Sequence, residues 1–557
     1  MAAESYGRVA NRLAAVNVTA GPGGINALNG VFGAFVDSIG MVVISGQVKR
    51  ETMMETYDLP LRQLGDQEVN ITAMVAPITK SAEVLRDPSE TRFVVERAIW
   101  TARHGRPGPV WIDIPIDVQS AQVEESKLRS FDPTSDPSTA ALAKTLLTGD
   151  ELVASLTQVV ARLAAAERPV ILAGSGVRLS GNYEGFLRVI SKLGIPVSTG
   201  FNAHDLIWDS HPLYVGRPGT VGDRAGNFSV QNADFVLILG CRMNIRQISF
   251  NWGSFARAAF KVMIDVDQAE LSKPTLRIDL PIHANLAEAL ELLELSIPYE
   301  IQSSHLSYLQ WCQERCKKYA VSSEPSPVSA DTIDPYLFLD QLFNELDDED
   351  VVVAADGAAS VVAFQVAHIR AGQRLYTNSG AASMGYDLPA AIGAAVALGG
   401  KRVICVAGDG SIMMNLQELQ TIAGARFPVK IVVLNNDGYS SIRQTQSNYF
   451  PDGIMGCDPS SGVTFPDFVE VGTAFRIPSQ RCDSPQNASK LIRAMLEGPG
   501  PQLLEVVVDR DRPFAPKLSS RQLADGRMVS SPLEDMAPFL PRDELLENLL
   551  IPPMSEE

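Results

Sequence analysis

One stretch, residues 403–443 (VICVAGDGSIMMNLQELQTIAGARFPVKIVVLNNDGYSSIR), restricts the fold more than any other part of this 557-residue chain. An apolar run at 403–407 breaks at Gly408-Asp409-Gly410. Apolar residues then recur at helical spacing through Met413, Leu416, Leu419 and Ile422, and a second apolar run, 429–434, ends in Asn435-Asn436-Asp437-Gly438. This order reads as strand, turn, helix, strand, turn. Parallel strands joined by a helix lie side by side, so the turns leaving their carboxyl ends face one crevice, where α/β sheets bind ligands. Asp409 and Asn436 are therefore expected to meet.

The carboxylate of Asp409, the amide oxygen of Asn436 and the backbone carbonyl at Gly438 form a hard-oxygen set suited to octahedral Mg²⁺, with phosphate oxygens completing the shell. Gly408 and Gly410 let backbone approach phosphates, and Ser411 with the first turn of the following helix adds donors and a positive dipole end. Asp-Gly and Asn-Asp-Gly are ordinary turn signals, and either alone is more often just a turn. Together, 27 residues apart and each ending a buried strand, they are specific.

A chain this long exceeds one core and implies about three domains. Lys plus Arg number 47 against 65 Asp plus Glu, a net charge of −18 that argues against nonspecific binding to nucleic acid or anionic membrane. The six cysteines are scattered; Cys312 and Cys316 stand at a helical interval rather than a C-x-x-C spacing and read as free thiols of a reducing, cytoplasmic compartment. The apolar segment 388–398 is broken at Lys401, short of a membrane span, and Arg8 and Arg12 interrupt any signal-like run at the amino terminus.

In chain order, residues 1–13 read as a helix leading into a strand at 14–18, followed by the glycine-rich turn 19–26 and a helix at 27–37. A weak internal repeat links Gly108-Pro109 with Gly500-Pro501, each a Gly-Pro turn between a helix and a buried strand. Two segments rich in Pro, Ser and Asp, 130–139 and 322–335, read as linkers around a middle domain with strands at 170–173, 235–239 and 262–266. Glycines at 174, 176, 216 and 219 are weak evidence for a nucleotide. The expected architecture is α/β, three doubly wound parallel-sheet domains: 1–129, 140–321 and 335–510, with a carboxyl-terminal arm, 511–557, packed on the surface.

Residues 403–443 resemble the thiamine diphosphate motif, GDG followed by NN, of the pyruvate decarboxylase and acetolactate synthase superfamily. The resemblance to acetolactate synthase covers nearly the whole chain. Residues 19–26 are similar to the family's TSGPGxxN, 45–48 to TGQV, 105–118 to GRPGPVVVDIPKDV, 383–389 to TMGFGLP and 443–446 to RQWQ, while Gln67-Glu68 and Thr79-Lys80 match parts of FQE and ITK. The resemblance implies two homologous thiamine-diphosphate-binding folds, with the metal on Asp409, Asn436 and Gly438 and the cofactor also touched by Asn26, Ser383 and Met384, the last as an apolar wedge. It implies Gln67 and Lys80 at the substrate entry; elsewhere such a Met is core filler and such a Lys, ending a strand, a solvated cap. It further implies two pyruvates joined to 2-acetolactate with loss of CO₂, in branched-chain amino acid biosynthesis, by a homodimer or homotetramer.

Departures bear on the substrate. The tryptophan of RQWQ is Thr445 here and the glycine two before the wedge is Ala382, which opens the alternative of a carboligase or decarboxylase with another acceptor, such as a keto sugar. Residues 216–221 and 240–246 are similar to the family's GMHGTV and GVRFDDR without the acidic pair, so FAD stays open. The family's activating glutamate belongs to a motif whose second half matches residues 1–8, MAAESYGR. It is therefore expected before Met1, in a frame read as truncated, leaving this chain impaired in catalysis or, alternatively, a cofactor-binding pseudoenzyme. Glu4 stands at a variable place of that motif.

Overall fold

Runs of Val, Ile, Leu and Ala buried on both faces are what a parallel sheet requires, and they form the inner strands of three such sheets. The computed structural model describes the chain apart from residues 137–138, 140–144, 299–304, 325, 451–452, 523–526 and 555–557. The linkers expected at 130–139 and 322–335, and the domain start at 140, lie partly outside the described residues. Packing divides the chain into two compact units, Met1–Thr145 with Asn378–Lys401, and Leu146–Thr377 with Arg402–Glu557.

The first unit holds β1 (Ala14–Val18), β2 (Met41–Gln47), β3 (Ser81–Val84) and β4 (Pro109–Pro115), all parallel in the order β1-β2-β4-β3. Its core forms where Val94, Ala98 and Ala102 of the helix Thr91–Arg103 pack on Val42, Val110 and Ile112. The helix Pro22–Val36 opens with proline, pre-set for a first helical turn, directly after Gly21 at φ +59°. The helix Ala2–Ala10 is shorter than the 1–13 expected, because Asn11 takes a left-handed conformation and ends it.

The second unit holds two sheets. In the first, β5 (Pro169–Ala173), β6 (Val197–Thr199), β7 (Phe235–Leu239), β8 (Phe260–Asp265) and β9 (Leu280–His283) lie in the order β6-β5-β7-β8-β9. In the second, β10 (Val351–Ala354), β11 (Arg374–Tyr376), β12 (Val403–Gly408), β13 (Val429–Asn435), β14 (Ser479–Cys482) and β15 (Gln502–Val507) lie in the order β11-β10-β12-β13-β15-β14. Every pairing in both is parallel. The order β12-β13-β15-β14 repeats β1-β2-β4-β3 strand for strand, and the two Gly-Pro turns open the matching strands β4 and β15. The tail is not confined to the surface. Leu533 enters the core of the β5–β9 sheet, and Asn232 Nδ2 donates to the Asn548 carbonyl at 2.9 Å.

Candidate functional site

In the β10–β15 sheet the chain order reverses between β10 and β12, so the crevice outside the carboxyl ends of these strands is where the topology favours a ligand. Asp409 begins the helix directly after β12, and Asn436 follows β13. The register Gly408↔Leu434 sets the two turns side by side.

Asp409 and Asn436 do meet. The Asp409 carboxylate, 2% exposed, accepts from Asn436 N at 3.0 Å and Gly438 N at 3.1 Å through Oδ2, and from Gly410 N at 2.7 Å through Oδ1. Burial pushes its pKa up to about 6, although the three N–H donors favour the charged form. Three amide dipoles fix the carboxylate's orientation without supplying a full positive charge. Asn436 Oδ1 is buried and has no hydrogen-bond partner among the described residues. A buried polar group without a partner is costly, and an anion beside an orphan oxygen is the donor set a hard cation completes. The Gly438 carbonyl accepts from Ser440 N at 3.2 Å and keeps a second lone pair.

The glycines divide by function. A Cβ on Gly410 would fall 2.1 Å from the Tyr439 ring, so this glycine admits that ring; a Cβ on Gly408 would meet nothing within 4 Å, which leaves that backbone face open. Tyr439 is in turn anchored by its N–H on the Cys457 carbonyl at 2.8 Å and by an edge contact with Phe465. Ser411 is buried in the same first helical turn.

In the first unit, Asn26 stands exposed in the opening turns of the helix after Gly21. Gln67 is exposed with φ +59°, and its carbonyl lies where a Cβ on Gly21 would come within 2.0 Å. Ser383 is buried and donates to Asn29 Oδ1 at 2.6 Å; Met384 beside it is half-buried. Lys80 departs from the sequence reading on two counts. It precedes β3 rather than ending a strand, and it is no solvated cap. Its ammonium donates to the carbonyls of Thr101 and His104, both at 2.5 Å, where the helix Thr91–Arg103 ends, and burial lowers its pKa to about 8.

Sequence reading passed over two groups. Arg246, at the end of the segment read as a flavin motif, is half-buried and lies 4.9 Å over the Phe201 ring; its carbonyl accepts from Thr220 N at 2.9 Å, while its guanidinium makes no hydrogen bond among the described residues. Burial lowers its pKa, with Asp356 just past β10 partly offsetting this. Its last place in GCRMNIR was the available signal. Glu4, set aside as variable, is 1% exposed and bonded to Arg8 and Tyr386. The nucleotide-suggestive glycines serve internal packing. A Cβ on Gly174 would fall 2.4 Å from the Gly240 carbonyl oxygen, and one on Gly216 2.6 Å from Gly226 N.

Comparison with known proteins matches three parts of the chain to one enzyme family. Residues 1–74 match the family described as thiamine pyrophosphate enzyme, N-terminal TPP binding domain; 156–293 match the central domain of these enzymes and 356–506 the C-terminal TPP binding domain. The acetolactate synthase large subunit of Lactococcus lactis subsp. lactis (strain IL1403) is 30% identical over 519 residues, 93% of this chain and 85% of the relative. A probable acetolactate synthase large subunit of Methanococcus aeolicus is 30% identical over 531 residues, covering 91% and 84%. Isozyme 1 of Escherichia coli (strain K12) is 29% identical over 521 residues, covering 92% and 86%.

Proposed function

We propose, because this chain belongs to the acetolactate synthase large-subunit family of thiamine diphosphate enzymes, that it joins two 2-oxo acids with loss of CO₂, pyruvate being the donor and 2-acetolactate the product. The observation that carries the site assignment is the pairing of Asp409, buried with a raised pKa, with the orphan oxygen of Asn436. These atoms fit Mg²⁺. Asp409 Oδ, Asn436 Oδ1 and the Gly438 carbonyl would hold it, and the open backbone face at Gly408 with the first helical turn at Gly410 and Ser411 would take the diphosphate. Thiamine diphosphate, when bound, supplies the electron sink that lets a 2-oxo acid lose CO₂.

The rest is work for the chain's own groups. Arg246, a half-buried guanidinium without a hydrogen-bond acceptor among the described residues, is suited to hold the carboxylate of a 2-oxo acid through paired N–H donors. Thr445 is exposed and donates back to the Ser441 carbonyl at 2.9 Å. It offers an acceptor far less surface than an indole would, which disfavours 2-oxobutyrate relative to pyruvate. Lys80, with its ammonium committed to two carbonyls, is read as holding the end of the helix Thr91–Arg103. No FAD is assigned, since the central glycines are filled by the protein's own backbone. A homodimer is the assembly the family relationship favours.

The test is turnover by the purified chain supplied with thiamine diphosphate and Mg²⁺. CO₂ release matched by acetolactate from pyruvate alone is expected. CO₂ release without acetolactate would support a simple decarboxylase. Tight cofactor binding without turnover would support the binding-only reading.

A further inference from the structure

The segment that carries Met384 is held by acceptors from several positions along the chain, Asp37 and Asn378 being buried and Asn29 exposed. Gly380 N donates to Asp37 Oδ1 at 3.0 Å, Ser383 N to Asn378 Oδ1 at 3.3 Å and Ser383 Oγ to Asn29 Oδ1 at 2.6 Å. Tyr386, 1% exposed, donates its hydroxyl to Glu4 Oε2. Glu4 and Asp37 are joined by Arg8, whose guanidinium reaches Glu4 Oε1 through Nε at 3.0 Å and Asp37 Oδ2 through Nη2 at 2.9 Å. All three charged residues are at least nine-tenths buried. Below them, Ser5 Oγ donates to the Ala390 carbonyl at 2.6 Å, and Gly393 lets the helix Ala2–Ala10 cross so closely that a Cβ there would lie 2.1 Å from the Ala2 carbonyl oxygen.

Inside this frame Ala382 stands at φ +52°. An L-residue with a Cβ pays roughly 1–2 kcal/mol for the left-handed region, and such strain persists only where the surroundings over-determine the backbone. Here they do, from both sides: Ala382 N is bonded to the Asn378 carbonyl at 2.8 Å, and the next residues are fixed by Asn29, Asn378 and Glu4. Core packing alone does not account for a buried tyrosine hydroxyl aimed at a carboxylate that is already paired with an arginine.

We propose that Glu4, Arg8, Asp37 and Tyr386 form a buried clamp that holds the strained segment Gly380–Tyr386 in place and so presents the Met384 side chain. Tyr386 and Glu4 are positioning residues, because they act through the segment. The inference rests on the reading of Met384 as an apolar support for the cofactor, and its test separates the two.

Amide hydrogen exchange is followed on the cofactor-free chain for residues 378–386, with the helix Pro22–Val36 as internal reference. Tyr386→Phe, which removes one oxygen and keeps the ring, should speed exchange in the segment roughly tenfold, the loss expected for a hydrogen bond to a charged group, and leave the reference unchanged. Ala382→Gly removes the strain the clamp opposes. Tyr386→Phe should therefore cost less in the Ala382→Gly background than in the native one, a non-additivity expected of coupled neighbours. Unchanged exchange in Tyr386→Phe, or strict additivity of the two substitutions, overturns the clamp. Should Tyr386→Phe unfold the chain, Glu4→Gln, which keeps an acceptor for the hydroxyl and removes the charge from Arg8, reads the same exchange with the same criteria. Separately, Met384→Ala should alter the circular dichroism induced in bound thiamine diphosphate. If that signal is unmoved while exchange responds to Tyr386→Phe, the reading of Met384 fails and the clamp stands.

Discussion

The sheets β1-β2-β4-β3 and β12-β13-β15-β14 share strand order and direction, and each places a carboxylate four residues after the proline that opens its matching strand, Asp113 after Pro109 and Glu505 after Pro501. Their surroundings differ. Asp113 receives only neutral donors, Ser45 Oγ at 2.5 Å and Gln47 Nε2 at 2.9 Å, and burial pushes its pKa up to about 6. Glu505 receives Asn435 Nδ2 at 2.7 Å and the Arg481 guanidinium at 2.9 Å. One repeat buries its charge against dipoles, the other against a cation. The turns diverge in the same way: the second repeat leaves Asn436 Oδ1 unpaired beside Asp409, whereas after β1 the corresponding turn is closed by the Gln67 carbonyl on Gly21. On the proposed function, the same scaffold serves as a cation cradle in one copy and an internally satisfied loop support in the other.

The largest effect that sharpens this comparison is expected at the glycines of the two turns. Gly21→Ala sets a Cβ 2.0 Å from a backbone oxygen at φ +59°, and should lower stability by about 3 kcal/mol or more in chemical unfolding. Gly410→Ala meets a side-chain ring instead and should cost about 2 kcal/mol, part of it regained in Gly410→Ala with Tyr439→Ala. Gly408→Ala, with open space, should stay within about 1 kcal/mol of the native chain. An equal loss at all three positions would break the distinction.

Next in size is the cation. Arg481→Met leaves Glu505, 2% exposed, with a neutral donor alone, and should cost about 2 kcal/mol, less in the Glu505→Gln background. A cost independent of Glu505 would show that Arg481 acts through Asp467, its other partner.

The Asp113 effect is smaller and depends on pH. Its folded pKa, about 6, lies above the unfolded value near 3.8, so the folded chain binds more protons between them. Its contribution is fully present below pH 3.8 and is lost as pH rises through 6. Asp113→Asn should therefore remove a stability decline of about 2 kcal/mol between pH 4 and 7, read as the difference between two unfolding series. Parallel pH profiles for the two proteins would contradict the picture of a carboxylate without a cation.

Legibility in the sequence followed the range of the interaction. Strand, turn and helix signals are local, so the β12–β13 unit and the meeting of Asp409 with Asn436 were readable from 403–443. The two-copy repeat was readable from its Gly-Pro turns, because proline and glycine fix backbone whatever lies around them. Lys80 was not, since its partners are carbonyls of a helix end 21 and 24 residues away that no side-chain pattern marks. Glu4 was not, because its partner Tyr386 lies 382 residues along the chain. The glycines at 174 and 216 resembled ligand turns because the two requirements, backbone near a phosphate and backbone near backbone, select the same residue.

The central claim, that Asp409 and Asn436 form the metal and diphosphate cradle of this chain, is tested most directly by calorimetric titration of thiamine diphosphate into cofactor-free protein, with and without Mg²⁺. The native chain should bind the cofactor tightly only with Mg²⁺. Asp409→Ala should weaken that binding by at least about a hundredfold and abolish its dependence on the metal. Metal-dependent binding of undiminished affinity in Asp409→Ala would contradict the account.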